Sequence, residues 1–507
     1  MTKKTWFSVV VLLRGSAHTF PQKLNVQALG LKVPIRIALS IGVLFLASML
    51  LSCHEREVFD ARDFGAVGDG KTINTRAIQA AIDECTQTGG GTVLIDGGTY
   101  VSGTLLLKDN VTLQVAENTT LQGSINPNDY PVVDPFIDAT GQFRGQCFIG
   151  GIDVQNVAIT GKGTINGQGE MFTPANIKKT INELGIEIQE PDFSNLIAKD
   201  NKYVNNKIRY SNRPFLVRMV RSKNVKLKDI HLRQPAAWTL HFYQCDGFEV
   251  DGIDIHSHAN KNNDAIDIDS SVNGIIQNCT IDSGDDAICF KSTSPRPSSD
   301  VLVKDCKLKS EWGAIKFGTE SMGDFKNITI RDCFIHDTRG GGIKVLSVDG
   351  ANIDNILIEN IEMENVEMPI FIRLGERGLV YRDAPKQPVG SIGNVTIRNI
   401  KASVRELADC RIQPTAGFFF TGTPNHKIGN IKFENIEVSL PGGGTEDDAQ
   451  IVVPENETEY PEFTKLGAVP AYGVFGRHIE NLETSNVSFN LRSEDQRKEI
   501  ILIDVNE

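Results

Sequence analysis

A short strand-like run recurs along the middle of this chain at a spacing of 22 to 28 residues. The runs NDAIDI, DDAICF, WGAIKF and GGGIKV begin at residues 263, 285, 312 and 340, and a fifth copy, MPIFI, follows at 368. Their central isoleucines are Ile266, Ile288, Ile315, Ile343 and Ile370. A period of this length indicates a repeat architecture, in which each unit buries its apolar face against its neighbours.

A second family of runs lies between the first: GIIQNCTI, VLVKDCKL, ITIRDCFI, ILIENIEM, VTIRNIKA and IKFENIEV. Each alternates apolar and polar residues with period two, which is typical of a half-buried strand. Short strands on this period do not fit a propeller blade or a leucine-rich repeat. They predict an all-β fold, a parallel β-helix with one turn per repeat and three short sheets. Neighbouring coils should stack at about 4.8 Å.

The predicted solenoid is a single domain over residues 59–507, and its open end requires a cap. The segment NTRAIQAAIDECTQTGGG supplies a helix, with Asn74 as its N-cap and glycines at 89–91 as its stop. The first solenoid strand is expected at GTVLI, residues 91–95. Residues 171–212 break the repeat as an excursion. Residues 374–391 and 440–475 read as long loops that build groove walls.

The chain has a formal net charge of −12, so no basic field is available to hold phosphate, and a nucleic-acid partner is not expected. An acidic polymer could bind only through a locally basic cleft. Of the nine cysteines, Cys279, Cys306 and Cys333 are spaced by 27 residues, which indicates an inward ladder rather than a disulfide framework. No CxxC or HExxH motif is present, so neither a metal nor another cofactor is predicted.

The N-terminal region reads as a targeting segment. Residues 1–52 contain Lys32 and Arg36 before the apolar run IALSIGVLFLASMLLSC, which ends at Cys53. The run is short for a membrane span but suits a signal peptide. Its end resembles a bacterial lipobox, which predicts lipidation of Cys53, a tether over residues 53–58, and an exported lipoprotein of the outer membrane. A plain secretory signal or an anchor helix is the alternative, and the first 30 or so residues read as a mis-assigned start.

Aligning the repeats on their isoleucines places carboxylates on two neighbouring coils and lysines on nearby strands. The acids are Asp264, Asp267, Asp285 and Asp286, and the lysines are Lys291, Lys316 and Lys344. Strand alternation turns Asp267, Asp285 and the lysines outward. Asp264 and Asp286 have inward parity but stand at a bend, where a side chain can escape alternation. A column of small residues is expected to leave room across the coils: Ala265, Ala287, Ala314 and Gly342.

This pattern predicts an elongated groove with an acidic centre and a basic flank. Such a groove suits hydrolysis of a negatively charged sugar, because one carboxylic acid can protonate the glycosidic oxygen while a carboxylate activates water. Crowded like charges should raise the pKa of one acid. The alternative is an Asp/Asn ladder that caps turns, which accounts poorly for the doubled acid at Asp285 and Asp286.

At these residues the chain resembles the polygalacturonases, the pectin hydrolases of glycoside hydrolase family 28. The resemblance runs from FDARDFGAVGDGKTINTRAIQAAID through QPAAWTLHFYQC and NNDAIDIDSS to GDDAICFKS. The resemblance implies a right-handed β-helix and an inverting mechanism. It makes Asp285 the acid, with Asp264 and Asp286 positioning the attacking water, and it implies a uronic-acid polymer as substrate.

Two departures from the family pattern concern the substrate clamp. The family's Gly-His-Gly motif falls in EWGAIKFGTES, where Gly313 stands in place of histidine. The family's Arg-Ile-Lys falls in GGGIKV, where Lys344 matches but Gly342 replaces arginine. Lys316 and Arg339 are candidates for the lost positive charge. Galacturonic acid, a rhamnogalacturonan and another uronic-acid polymer therefore all remain open as substrates.

Several alternatives are left open by the residues. A polysaccharide lyase on the same fold would use Lys316 or Lys344 as base, with Ca²⁺ held by the acids. A non-catalytic, glycan-binding surface lipoprotein is a second rival, and a uronic-acid epimerase is a weaker third. His241 and Trp238, one coil before Asp264, either line a subsite or pack at a turn. Lys291, Lys316, Lys344, Asp267 and His241 are the predicted substrate-binding residues, and a monomer is expected.

Overall fold

The computed structural model describes residues 57–188, 213–382 and 384–506. Within these ranges the chain forms a parallel β-helix, which confirms the predicted fold class. The apolar run at 37–53 and the predicted lipidation site Cys53 lie outside the described residues, as does most of the predicted excursion at 171–212. Among the helices that are described, none combines the length and apolar character needed to cross a membrane.

Each coil contributes strands to three parallel ladders. The first ladder contains β1 (Val58–Asp60), β3 (Gly91–Ile95), β6 (Val111–Val115), β10 (Gln155–Thr160), β13 (Lys223–Lys228), β16 (Asp246–Asp251), β19 (Val272–Gln277) and β22 (Ser298–Lys304). The second contains β2 (Asp69–Ile73), β4 (Gly98–Ser102), β7 (Thr119–Gly123), β11 (Thr164–Asn166), β14 (His231–Arg233), β17 (Asp254–Ser257), β20 (Thr280–Ser283) and β23 (Lys307–Ser310).

The third ladder carries the predicted site. It contains β5 (Leu105–Leu107), β9 (Phe143–Ile152), β12 (Phe215–Val220), β15 (Leu240–Tyr243), β18 (Ile266–Asp269), β21 (Ile288–Ser292), β24 (Ile315–Ser321), β26 (Ile343–Ser347), β28 (Ile370–Leu374) and β31 (Phe418–Thr421). Longer strands continue the first two ladders: β25 (Phe325–His336), β27 (Asn352–Val366), β30 (Val395–Val404) and β32 (Ile428–Leu440), with β29 (Ser391–Ile392) beside β27. β33 (Ala471–Leu491) and β34 (Lys498–Val505) close the C-terminal end.

The register of the third ladder follows the predicted isoleucine column. Ile266 pairs with Ile288, which pairs with Ile315, and the column continues through Ile343 to Ile370. All five are fully buried in one continuous core. The next column along the strands consists of Asp267, Cys289, Lys316 and Lys344, which are paired in the same way. It lies on the outward side of the ladder.

A helix caps the N-terminal end, as predicted. Helix α1 (Thr75–Gln87) buries its apolar face, formed by Ile78, Ala81, Ile82 and Cys85. The residue at its N-cap is Asn74, whose side chain does not cap the helix but accepts a hydrogen bond from the backbone N–H of Val67 at 2.7 Å. The first solenoid strand is β1, which precedes the predicted start at GTVLI and pairs with β3.

The column of small residues differs from the expectation. Ala265, Ala287 and Ala314 are fully buried in the core, and a Cβ on Gly342 would lie 2.8 Å from Met363 Sδ. The column therefore fills the inside of the corner where the chain enters the third ladder, and it leaves no room for a ligand. A small residue is needed there because the coil bends sharply against the one beneath it.

Three short elements depart from the coil repeat, and one of them, helix α2 (Ile177–Leu184), lies in the predicted excursion at 171–212. Strand β8 (Val132–Ile137) pairs antiparallel with the beginning of β9 and forms a hairpin. Helix α2 follows β11. A third short helix, α3 (Phe463–Leu466), lies in the loop between β32 and β33. The hairpin and the α3 loop both contribute residues to the site.

Asparagines stack along the turns between the first two ladders. Asn399 donates its side-chain amide to Asn360 at 2.9 Å and accepts that of Asn435 at 3.1 Å, and Asn486 continues the row. All four residues have φ between 52° and 56°. Asparagine tolerates this left-handed conformation better than most residues, so the row stabilises the turn in these four coils.

Candidate active site

Three of the predicted acids, Asp264, Asp285 and Asp286, and two of the lysines meet at a single pocket outside the third ladder, with a volume of about 210 Å³. Its lining comprises Asp138, Thr140, Trp238, Asn262, Asp264, Asp285, Asp286, Lys291, Trp312, Lys316, Thr319, Glu320 and Tyr460. Because the lining comes from successive coils, the hairpin at β8 and the α3 loop, long-range folding is needed to assemble it. The pocket is smaller than those that usually enclose drug-sized ligands, so it suits one sugar unit.

Asp264 and Asp286 reach the pocket from equivalent positions, each two residues before the isoleucine that starts its strand. They escape the inward parity of the strand, as expected for a bend. An oxygen of Asp264 and an oxygen of Asp286 lie within 4.8 Å of each other, although both side chains are almost completely buried. Two carboxylates at this separation can hold one water molecule between them.

Asp285 is the more accessible member of the adjacent pair. Its Oδ1 accepts a hydrogen bond from the backbone N–H of Asp286 at 3.0 Å, and its backbone carbonyl accepts the hydroxyls of Ser283 and Ser310. Burial of its carboxyl group, together with the negative charges of Asp264 and Asp286, raises the pKa of Asp285 well above its usual value. Asp285 therefore stays protonated where an ordinary aspartate is ionised.

Asp286 has the opposite tendency. Burial works against its ionisation, but Lys316 and Lys344 outweigh burial and lower the pKa of Asp286. Its Oδ2 accepts a hydrogen bond from Lys316 Nζ at 2.8 Å, and its Oδ1 accepts the backbone N–H of Gly313 at 3.1 Å. Two neighbouring residues in the sequence are thus held in different protonation states.

Lys291 joins three acids from the coils on either side of it. Its Nζ lies 3.3 Å from Asp264, 3.6 Å from Asp267 and 3.2 Å from Glu320, and 4.7 Å from the centre of the Trp238 ring. The ammonium group is therefore committed to protein carboxylates and one aromatic face. Despite Lys291, burial first and Asp286 second raise the pKa of Asp264 above its usual value.

Lys316 and Lys344 are also paired within the protein. Lys316 Nζ contacts both Asp286 and Glu462, the latter at 3.0 Å, and Lys344 Nζ lies 2.9 Å from Glu462. The Lys344 side chain is 0% exposed. In this conformation Lys344 does not present its charge to a ligand, which differs from the predicted direct contact with substrate.

Asp267 and His241 also lie behind the pocket rather than in its lining. Asp267 is fully buried, and neither of its carboxylate oxygens accepts a hydrogen bond. Burial and the charge of Asp264 raise the pKa of Asp267 well above its usual value. The side chains of Asp267 and His241 are both inaccessible, so neither can contact a substrate directly in this conformation.

His241 packs in an aromatic cluster with Phe136, Phe215 and Trp238. Its Nε2 lies 3.2 Å from Asp269, and burial lowers the pKa of His241 to about 4, so the imidazole is neutral. Of the two residues left undecided by the sequence, Trp238 lines the pocket and His241 supports it.

Sequence reasoning missed the residues that the loops bring in. Glu462 and Tyr460 come from the segment 440–475, and Asp138 comes from the hairpin that contains β8. Glu320 belongs to β24, four residues after Lys316, and accepts the backbone N–H of Ala139 at 2.9 Å. The prediction of groove-building loops indicated the segments, but no local pattern marked these side chains.

An exposed basic edge lies next to the pocket at Trp312. The guanidinium of Arg411 lies 4.3 Å from the centre of the Trp312 ring, and Arg411 donates a hydrogen bond to the backbone carbonyl of Glu311 at 2.8 Å. Arg339, one of the candidates from the sequence, lies 3.7 Å from the Glu311 carboxylate. Both arginines are exposed, in contrast to the three lysines.

The arrangement can supply a proton and accept one within the space of a single sugar unit. A protonated Asp285 is suited to donate to a leaving oxygen, while ionised Asp286 and neighbouring Asp264 can hold and deprotonate water. The pKa values of neighbouring carboxylates are pushed apart, which is the pattern expected of paired acid and base groups.

The comparison with known proteins identifies related chains. The family model described as "Glycosyl hydrolases family 28" matches residues 85–451. A probable polygalacturonase of Vitis vinifera is 25% identical over 55% of this chain and 55% of its own. An exo-poly-alpha-D-galacturonosidase of Dickeya chrysanthemi is 28% identical over 52% of this chain and 48% of its own. The chain thus spans about half the length of these curated relatives.

A solved structure shares the fold. The family 28 exopolygalacturonase of Yersinia enterocolitica superposes with a TM-score of 0.65 at 20% identity, covering 89% of this chain and 78% of that chain. At 20% sequence identity, this comparison shows a shared fold.

Proposed function

This chain belongs to the glycosyl hydrolases of family 28, and from this premise we propose that it hydrolyses glycosidic bonds in a pectic, uronic-acid-containing polysaccharide or oligosaccharide. The observation that carries the proposal is the meeting of Asp264, Asp285 and Asp286 in one pocket, where the pKa of Asp285 is raised and that of Asp286 is lowered. Acid–base hydrolysis of a glycoside requires one protonated and one ionised carboxyl group at the same bond.

In the proposed mechanism Asp285 is the general acid. Its proton passes to the glycosidic oxygen as the bond to the anomeric carbon breaks, and the leaving sugar departs as an alcohol. Asp286 and Asp264 hold a water molecule on the other face of the ring, and Asp286 takes the proton of that water as its oxygen attacks the anomeric carbon. Attack from the opposite face inverts the anomeric configuration.

An acidic substrate needs a positive surface to approach a pocket rich in carboxylates. The exposed Arg339 and Arg411 beside Trp312 are suited to bind carboxylates of the polymer outside the pocket. The three lysines are occupied by protein carboxylates and serve first to set the charge of the acids. In this proposal the arginines take the substrate-binding role that was predicted for the lysines.

The lyase alternative is disfavoured by the state of the lysines. A lysine base must be neutral, but Asp286 and Glu462 overcome the effect of burial and raise the pKa of Lys316 well above its usual value. Lys316 is therefore charged under ordinary conditions.

The test is product analysis with the full-length protein on a panel of pectic polymers and oligosaccharides. Hydrolysis releases reducing ends without unsaturated products, and proton NMR of the first product should give the inverted anomer. A rise in the absorbance of unsaturated products that EDTA abolishes would establish the lyase instead. Binding without any release of reducing ends would leave a glycan-binding lipoprotein.

We also propose that the protein is exported and anchored by acylation of Cys53, and that it acts as a monomer at the outer membrane. The support is the apolar segment before Cys53 and the polar residues after it. Replacing Cys53 with alanine should abolish labelling by a radioactive fatty acid and release the protein from the membrane fraction. Light scattering of the purified protein tests the oligomeric state.

A further inference from the structure

Glu462 lies behind the wall of the pocket that Trp312 and Lys316 form, and its carboxylate stands between Lys316 and Lys344. It comes from the loop between β32 and β33, immediately before α3. Its Oε1 lies 3.0 Å from Lys316 Nζ, and its Oε2 lies 2.9 Å from Lys344 Nζ. The indole N–H of Trp312 donates to Oε1 at 3.1 Å. These three directed contacts, from two neighbouring coils, hold a residue that is distant in sequence.

The glycine at position 313 makes this arrangement possible. A Cβ on Gly313 would lie 2.5 Å from Cε of Lys344 and 2.9 Å from Oδ1 of Asp286. Any larger residue would displace the end of the Lys344 side chain from its place beside Glu462. Glycine in place of histidine at position 313 therefore leaves the space in which Lys344 pairs with Glu462.

The charges of this wall cancel. Lys316 and Lys344 supply two positive charges, and Asp286 and Glu462 supply two negative charges. Burial opposes the ionisation of Glu462, but Lys344 and Lys316 outweigh it and lower its pKa, so the carboxylate is charged. A free carboxylate on a sugar at this wall would meet Lys316, whose charge is already paired with Asp286 and Glu462.

We propose that Glu462 determines specificity by neutralising Lys316 and Lys344, so that the sugar unit bound against this wall carries no free carboxylate. The unit is a uronate whose carboxyl is esterified. The inference rests on the proposed hydrolase function and adds to it the chemistry of one subsite. In this proposal the exposed Arg339 and Arg411, beyond Trp312, bind the free carboxylates of the polymer.

A purely structural role for Glu462 makes a different prediction. If Glu462 only relieved repulsion between Lys316 and Lys344, its replacement would lower stability and would weaken all ligands equally. The proposed role changes the ratio of two affinities, because removing one negative charge leaves a net positive wall. The ratio is therefore the quantity to measure.

The experiment is calorimetric titration of the full-length protein with Asp285 replaced by asparagine, so that ligands stay intact. The probes are a trigalacturonate with free carboxylates and its fully methyl-esterified form. The parent protein should bind the ester at least as tightly as the free acid. Adding Glu462→Gln should shift the ratio of dissociation constants toward the free acid by at least about tenfold, which corresponds to 1.4 kcal/mol.

Two matched variants control the result. Glu446→Gln makes the same chemical change on the same loop at an exposed position, and should leave the ratio unchanged. The double variant Glu462→Gln with Lys344→Met restores the original net charge, and should return the ratio toward the parent value. Thermal unfolding of each variant reports whether the fold is retained.

An unchanged ratio in folded Glu462→Gln would overturn the inference, as would a parent protein that prefers the free acid by tenfold or more. Failure of both probes to bind would also overturn it, since the inference places the ester in this pocket. Reducing-end release by the protein with Asp285 intact tests the proposed function separately. If the protein releases reducing ends but the ratio of dissociation constants is unchanged in Glu462→Gln, only the proposed subsite is refuted. If the probes bind with the expected ratios but no reducing ends are released, only the proposed hydrolase function is refuted.

Discussion

Lys316 Nζ lies 2.8 Å from Oδ2 of Asp286 on the preceding coil, and both side chains are nearly inaccessible to solvent. The pair joins β24 to the bend before β21, so the stacking of two coils sets the charge of a residue in the pocket. Asp285, directly before Asp286 in the sequence, forms no such ion pair with the residues that the structure describes, and its pKa is raised rather than lowered.

Replacing Lys316 with methionine should destabilise the protein by about 3–5 kcal/mol at neutral pH, because it leaves buried carboxylates short of a cation. Lys316 lowers the pKa of Asp286, so this contribution is present above the unfolded aspartate pKa of about 3.9 and is lost as pH falls. Urea unfolding at pH 7 and at about pH 3 measures the difference, which should be smaller at the lower pH, below the unfolded aspartate pKa.

The control for Lys316→Met is Lys226→Met, which breaks an exposed pair with Glu249 and should change stability by less than about 1 kcal/mol. The pH–rate profile gives a second measurement, since the acid limb should move to higher pH when Asp286 loses its main cation. Equal unfolding free energies for Lys316→Met and the unaltered protein would contradict the expected role of the pair.

Replacing Asp285 with asparagine should lower turnover by about 10²–10⁴-fold, because the amide cannot donate the proton that the leaving oxygen needs. The fold should be unchanged, which circular dichroism can verify. Asp300→Asn, an exposed acid on the next coil, is the matched control and should retain activity. Full activity in Asp285→Asn would remove it from the role of general acid.

The same substitution should stabilise the protein at neutral pH. Since the pKa of Asp285 is raised in the folded state, the folded chain binds this proton more tightly than the unfolded chain, and stability falls as pH rises from about 3.9 towards the folded pKa. Asparagine removes that penalty. Melting temperatures should favour Asp285→Asn at pH 7 and converge with the parent near pH 3, and a constant difference would argue against the raised pKa.

The asparagine row offers a test of the turns. Asn399→Ala should cost about 1–3 kcal/mol, because alanine loses both side-chain hydrogen bonds and disfavours a φ of 55°. Asn399→Gly keeps the backbone freedom and should cost less. Chemical denaturation of the two variants compares these terms, and an alanine variant as stable as the glycine variant would show that φ does not matter here.

The sequence alone was enough to predict the β-helical coil and the register in which its repeats stack. The spacing of Ile266, Ile288, Ile315, Ile343 and Ile370 predicted the register of the third ladder, because stacking repeats of similar length brings equivalent residues together. The same alignment brought Asp264, Asp285 and Asp286 to one place, since they belong to the repeat. Burial of Ala265 within the corner escaped prediction, because parity along a strand does not describe a bend.

The tertiary structure alone decided the state of those acids and the chemistry of the wall beside them. Glu462 stands 118 residues after Lys344, in a loop with no repeat, yet its carboxylate lies 2.9 Å from the lysine Nζ. Loop closure of this length follows no sequence period, so local patterns could not pair them. Burial then strengthens each electrostatic interaction by excluding water, and the partner brought by the loop determines which charges a substrate meets.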